Sequence, residues 1–116
     1  MLFRSALALM NETAFLEASR AMAIRLLRAG AMSDGDRLQL LFSLGLSRSA
    51  TGSEQSLLLD SLKRYRSTYT HRPTDALRLL KIGDLPQSTI APPAEQVAWM
   101  IVCSSVMNTD EFLTLH

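Results

Sequence analysis

The chain has 116 residues, a formal net charge of +1, 47% hydrophobic and 6% aromatic residues, and a single cysteine. That is the size of one domain with one core, and the scarcity of aromatics and β-branched runs predicts an interior of Leu, Ala, Met and Val, so an all-α domain and not a β-sandwich. The near-neutral charge argues against a general polyanion binder, and Cys103 alone can form neither an intrachain disulfide nor a Cys-based metal site.

The start, Met1-Leu2-Phe3-Arg4-Ser5-Ala6, is too short in apolar residues for a signal peptide. Leu-Phe-Arg-Ser is also what the end of a common sequencing adapter encodes in one frame, so residues 1–5 read as an assembly artefact ahead of the C-terminal fragment of a longer protein. Leu2 to Met10 has the spacing of a helix tail, and Asn11-Glu12-Thr13 breaks it. From Thr13, the stripe Phe15, Ala18, Met22, Leu26 predicts an amphipathic helix with Glu17, Arg20 and Arg28 turned away and Gly30 as its stop.

Ser33-Asp34-Gly35-Asp36 supplies cap oxygens and first-turn acids for a helix from Gly35 to Leu46, and Ser47 to Ala50 is the connection. Thr51-x-x-Glu54 is a capping box. The helix it opens carries the stripe Leu58, Leu62, Tyr65, Tyr69 and reaches Thr70. Pro73 in a first turn starts a short helix to Ile82, presenting Ala76, Leu79 and Leu80 and stopping at Gly83. Asp84 to Ala91, with Pro86, reads as a loop; Pro92-Pro93 opens a long apolar helix to Met107, and Asp110 to Leu113 adds a turn. The expectation is one compact unit of five to six helices over residues 1–116, with no sheet.

Charge is uneven along this order. Residues 61–81 carry Lys63, Arg64, Arg66, Arg72, Arg78 and Lys81 against Asp75 alone, and no Lys or Arg follows. A basic middle and an acidic end predict complementary faces that meet within the fold or with a neighbouring domain; the sharper alternative is a patch for phosphate or an anionic surface. Tyr65 and Tyr69 lie within the basic run but continue the apolar stripe, so they read as core aromatics and nucleic acid is not an expected partner. Apolar stretches are interrupted well before the roughly 18 residues a membrane span needs.

No reactive constellation emerges. His71 and His116 have no carboxylate at an orienting spacing, and Asp110-Glu111 point apart on a helix, with Asp110 read as a cap. The glycines are scattered; Gly45, inside Phe42-Ser43-Leu44-Gly45-Leu46, marks close helix approach. Cys103, in the apolar run 97–107, reads as an inert core thiol. No catalytic, cofactor-binding or metal-binding residue is assigned, and no cofactor is expected.

Four segments carry a family resemblance. Ala8 to Arg20 resembles a Leu-Asn-x-x-Phe-Val-Glu-Ala-Ala-Arg pattern, and Arg37 to Ser49 an Arg-x-x-x-x-Phe-x-x-x-Leu-x-Arg helix. Asp75 to Gly83 resembles Ala-x-x-Leu-Leu-x-x-Gly, and Glu95 to Leu113 the closing Glu-x-x-Ala-Trp-x-x-Val-x-x-x-x-x-Asn-x-Asp-Glu stretch. Together they resemble the C-terminal part of a domain of unknown function in planctomycete-type proteins, the PSD-one type, which accompanies cytochrome c-like modules. Arg48-Ser49-Ala50-Thr51 departs from that pattern's Arg-Pro-Pro-Thr, keeping the cap and losing the stiff loop.

The resemblance implies a long, exported, multidomain protein whose upstream part can hold a haem-attachment Cys-x-x-Cys-His, a motif this chain lacks. It implies no reaction. The leading expectation is a helical structural or interaction module whose partners are upstream domains of the same protein or another protein. The alternative is a contribution to an enzyme or haem/redox assembly whose active groups lie upstream, with Trp99, Asn108, Asp110 and Glu111 as the side chains to watch.

Overall fold

The computed structural model describes residues 12–82 and 88–115. The described residues form six helices and no strand: α1 (Glu12–Leu27), α2 (Asp34–Leu46), α3 (Gly52–Thr70), α4 (Pro73–Leu80), α5 (Pro93–Met107) and α6 (Asp110–Leu115). The fold is all-α, as composition and periodicity predict.

Helix α5 is the axis of the molecule. Its sequence is apolar around most of its circumference, and such a helix is stable only when covered on several sides. Val97, Ala98, Trp99 and Cys103 are wholly buried, and α1 and α3 make the most extensive contacts with it. Main-core residues from five helices, among them Leu26, Leu41, Phe42, Leu62, Trp99 and Phe112, form one cluster; Ala76, Leu80 and Val97 form a smaller one, flanked by Tyr69, Leu79 and Ile101. Full burial of each Leu, Val, Met or Phe side chain contributes about 1.5–3 kcal/mol.

Local signals explain the helix ends. Ser33 Oγ accepts from the Asp36 amide at 3.1 Å and opens α2. Thr51 and Glu54 form the full capping box of α3, with the Glu54 amide donating to Thr51 Oγ1 at 3.2 Å and the Thr51 amide to Glu54 Oε1 at 2.9 Å. Pro93 occupies the first turn of α5 and Pro73 that of α4. Gly30, with φ +100°, takes the left-handed conformation beyond α1, where its lack of a Cβ removes the steric cost.

Three sequence expectations need correction. Arg20 does not turn away: it is 2% exposed, because the inward face of α1 centres on Ser19, Arg20, Ala23 and Leu26, while Phe15, Ala18 and Met22 flank it. Ser19 and Ala23 are the small side chains of that face, and the Ser19 hydroxyl donates to Phe15 O at 3.0 Å. Helix α4 ends at Leu80, before Ile82, because the Lys81 amide is shared by Leu77 O and Arg78 O and the Ile82 amide turns to Leu79 O, tightening the last turn. Glu12, read as part of a break ahead of a helix from Thr13, already belongs to α1. The readings of Leu2–Met10, of residues 1–5, of Gly83 and of His116 lie outside the described residues. So does the first half of the Asp84–Ala91 loop, whose end is held where Gln96 Nε2 donates to Ser88 O and Ala91 O at 2.8 and 2.7 Å.

Gly45 sits beneath the Phe112 ring, consistent with its predicted role in close approach, but a Cβ there would meet the ring at 3.6 Å, an ordinary contact. Helix propensity then decides the sign of a substitution. Gly45→Ala is expected to raise unfolding stability by about 0.5–1 kcal/mol, read from chemical denaturation.

Candidate functional site

A guanidinium between two carboxylates organises one end of the bundle. Arg48 lies in the α2–α3 connection, just after Ser47, whose φ of 56° turns the chain sharply at the end of α2. Its Nε and Nη2 donate to Glu111 Oε2 and Oε1 at 2.7 and 2.8 Å, and its Nη1 and Nη2 to Glu54 Oε1 and Oε2 at 2.8 and 2.9 Å. The same group lies 5.3 Å from the centre of the Phe42 ring. One arginine thus ties the starts of α3 and α6 to the end of α2. Hydrogen bonds from Arg48, then from the Thr51 backbone, pull the Glu54 carboxyl from its ordinary value of 4.5 down to about 2; hydrogen bonding to Arg48 also lowers Glu111.

Beside this clasp lies a cleft of about 260 Å³, walled by Phe42, Leu46, Leu57, Leu58 and Val106, with Ser105 and Thr109 at its border. Leu57 is 67% exposed and forms a projecting apolar lip. The arginine's charge is already engaged at the rim, so the cleft itself offers apolar surface.

A second clasp sits at the other end of α3. Arg66 grips Asp34 through Nη1 and Nη2 at 3.1 and 3.0 Å and Glu95 through Nε and Nη2 at 2.6 and 2.8 Å. Glu95 Oε1 also accepts from Trp99 Nε1 at 3.1 Å. The basic middle and the acidic end therefore meet within the fold, through Arg66. Lys63, Arg64, Arg72, Arg78 and Lys81 stay exposed. Arg37 completes the framework: it donates to Leu26 O and Gly30 O at 3.1 and 2.8 Å, closing the end of α1, and lies 5.8 Å from the Trp99 ring centre.

The side chains singled out for a shared redox site are not gathered into one. Trp99 is fully buried, Glu111 is paired with Arg48, and Asn108 ends α5 with its amide donating to Ser104 O at 3.0 Å. Asp110 is not the cap: Thr109 is, accepting from the Phe112 amide at 3.3 Å, while Asp110 is the first residue of α6. The hydroxyl one residue earlier has the reach that an N-cap needs. His71 sits at the end of α3 with Nδ1 2.8 Å from Ser67 O. Tyr65 and Tyr69 are half-buried against the two apolar clusters, as their stripe predicts. Among the described residues no group of three potential ligands could hold a metal ion, and no helix is long and apolar enough to cross a membrane.

Sequence reasoning missed both clasps. Arg48 and Glu111 stand 63 residues apart and Arg66 and Asp34 32 apart, and nothing in their local patterns pairs them. The chain matches no family model, no curated protein and no solved structure.

Two outcomes follow from these environments. Burial raises the Cys103 thiol well above its ordinary range, so the folded chain is expected to resist a thiol reagent at pH 8 and to react once denatured. Because the folded Glu54 carboxyl titrates below its unfolded value, its stabilisation is complete above about pH 4.5 and fades as pH falls toward 2. Glu54→Gln retains an oxygen for the Thr51 amide but loses the ion pair. Its deficit in unfolding midpoint against the parent is therefore expected to be largest near neutral pH and to shrink across that acid window.

Proposed function

We propose that the chain is a helical packing and interaction module, with the apolar cleft beside Arg48 as its docking surface. The reading extends the resemblance to the planctomycete-type, cytochrome-associated domain, in which such a module sits beside upstream domains of one long, exported protein. The observation that carries it is the pairing of an apolar cavity with a projecting leucine, Leu57, at a rim whose cation is already neutralised.

That chemistry favours an apolar segment of the same protein's upstream domains over a charged ligand. An inserted aliphatic or aromatic side chain gains burial against Phe42, Leu46, Leu58 and Val106 without displacing a charge. The partner's polar flanks would meet Ser105, Thr109 and the outer faces of Glu54 and Glu111. No reaction is assigned to this chain, and no observation favours the redox alternative, since Trp99 and Glu111 serve packing and pairing.

The test uses a neutral solvatochromic dye, Nile red, as a stand-in for an apolar segment. The folded chain is expected to bind it, and Leu57→Asp to weaken binding several-fold with little change in unfolding midpoint, since Leu57 contributes little to the core. Absence of dye binding, or binding indifferent to Leu57→Asp, removes the docking surface and with it the reading.

A further inference from the structure

Two of the exposed cations left over by the Arg66 clasp, Arg72 and Arg78, line a second concavity, remote from the cleft. At the corner between α3 and α4, a cavity of about 300 Å³ is lined by Thr68, Tyr69, Arg72, Asp75, Arg78 and Leu79. Its position is fixed from below: Tyr69 and Leu79 pack on the Ala76–Leu80–Val97 cluster, and the backbone of Arg72 is held on both sides, its amide donating to Tyr69 O at 3.3 Å and its carbonyl accepting from the Ala76 amide at 3.1 Å. Pro73 adds a fixed backbone angle immediately after Arg72.

We propose that this corner binds a small organic phosphate, its phosphate between Arg72 and Arg78 and its carbon part on Tyr69 and Leu79. Two arginines face one carboxylate, which leaves a net positive charge in the cavity. Asp75 reaches Arg78 only at 3.9 Å and no other carboxylate among the described residues pairs with it, while Arg72 makes no side-chain cap bond. Guanidinium groups match phosphate oxygens in pairs, and the Thr68 and Tyr69 hydroxyls add neutral donors at the same rim. Arg64 lies one turn before Thr68, and Lys81 lies close to Arg78 in sequence; both extend the positive field toward the cavity without lining it. The apolar floor makes an organic phosphate a better fit than the bare ion.

The probe is phenyl phosphate, titrated into the full chain at 0.15 M salt and followed by amide chemical shifts, with inorganic phosphate and phenol as separate arms. Shifts confined to 68–79 are expected for phenyl phosphate, with weaker binding of inorganic phosphate and none of phenol. Arg72→Gln and Arg78→Gln should each weaken binding about tenfold. Asp75→Asn should tighten it, and Arg64→Gln should change it little. Unfolding midpoints of the four variants, all altered at exposed or half-buried positions, establish that each is folded. No saturable shift, equal affinity for phenyl phosphate and inorganic phosphate, or a loss on Arg64→Gln as large as on Arg72→Gln would overturn the proposal, the last by reducing it to diffuse charge attraction.

Discussion

Everything in this fold follows from the need to cover α5. A fifteen-residue helix with buried side chains around most of its circumference leaves only a narrow outward strip at Ala94, Ile101 and Ser105, so its neighbours must sheathe the rest. Helices α1 and α3 do so along its length, α4 closes on its first half at Val97, and α2 and α6 complete the cluster around Phe42 and Phe112. Its polar side chains are largely engaged: Glu95 accepts from Arg66 and Trp99, and the Gln96 amide nitrogen donates to two carbonyls of the preceding segment, while Gln96 Oε1 is buried without a hydrogen-bond partner.

The arginine clasps answer a different requirement. Nonspecific burial of Leu and Val would tolerate several arrangements of six short helices, whereas a planar guanidinium gripping two carboxylates accepts very few. Arg48 fixes where α6 meets α3, and Arg66 fixes where the start of α5 meets α2 and α3. Their side chains remain about one-third exposed, so solvent screens much of the attraction and burial around α5 dominates stability. The clasps contribute mainly to register. Lysine could not replace them, since a single ammonium cannot offer two parallel pairs of donors.

How much of this was legible in the sequence depended on the range of the interaction. The Thr51–Glu54 box, Pro73, Pro93 and the apolar run to Met107 act within a few residues, and the helices they imply start where expected. The α1 stripe was legible only in outline. Periodicity selects the largest apolar side chains, Phe15 and Met22, whereas close packing places the small Ser19 and Ala23 at the centre and takes Arg20 inside with them. The clasps and both concavities depend on residues brought together by packing, and no local pattern encodes them. Charge asymmetry came nearest, since it implied that the basic run would meet the acidic end, but it could not single out Arg66 from five neighbouring cations.

The same asymmetry explains why α3 can serve two surfaces of opposite character. Leu57 and Thr68 are separated by eleven residues of one helix, roughly 16 Å along its axis at 1.5 Å per residue. That exceeds the Debye length of about 8 Å at physiological salt, so the neutralised apolar cleft lies outside the field of the cationic corner. The inward stripe from Leu58 through Leu62 to Tyr69 holds α3 against α5 between them, which leaves little freedom for one end to move when the other is occupied. Occupancy of the two surfaces should therefore be nearly independent: a coupling free energy requires a second arrangement of the connecting element, and a helix held by Leu62 between the surfaces and by Arg66 beside the cationic corner offers none.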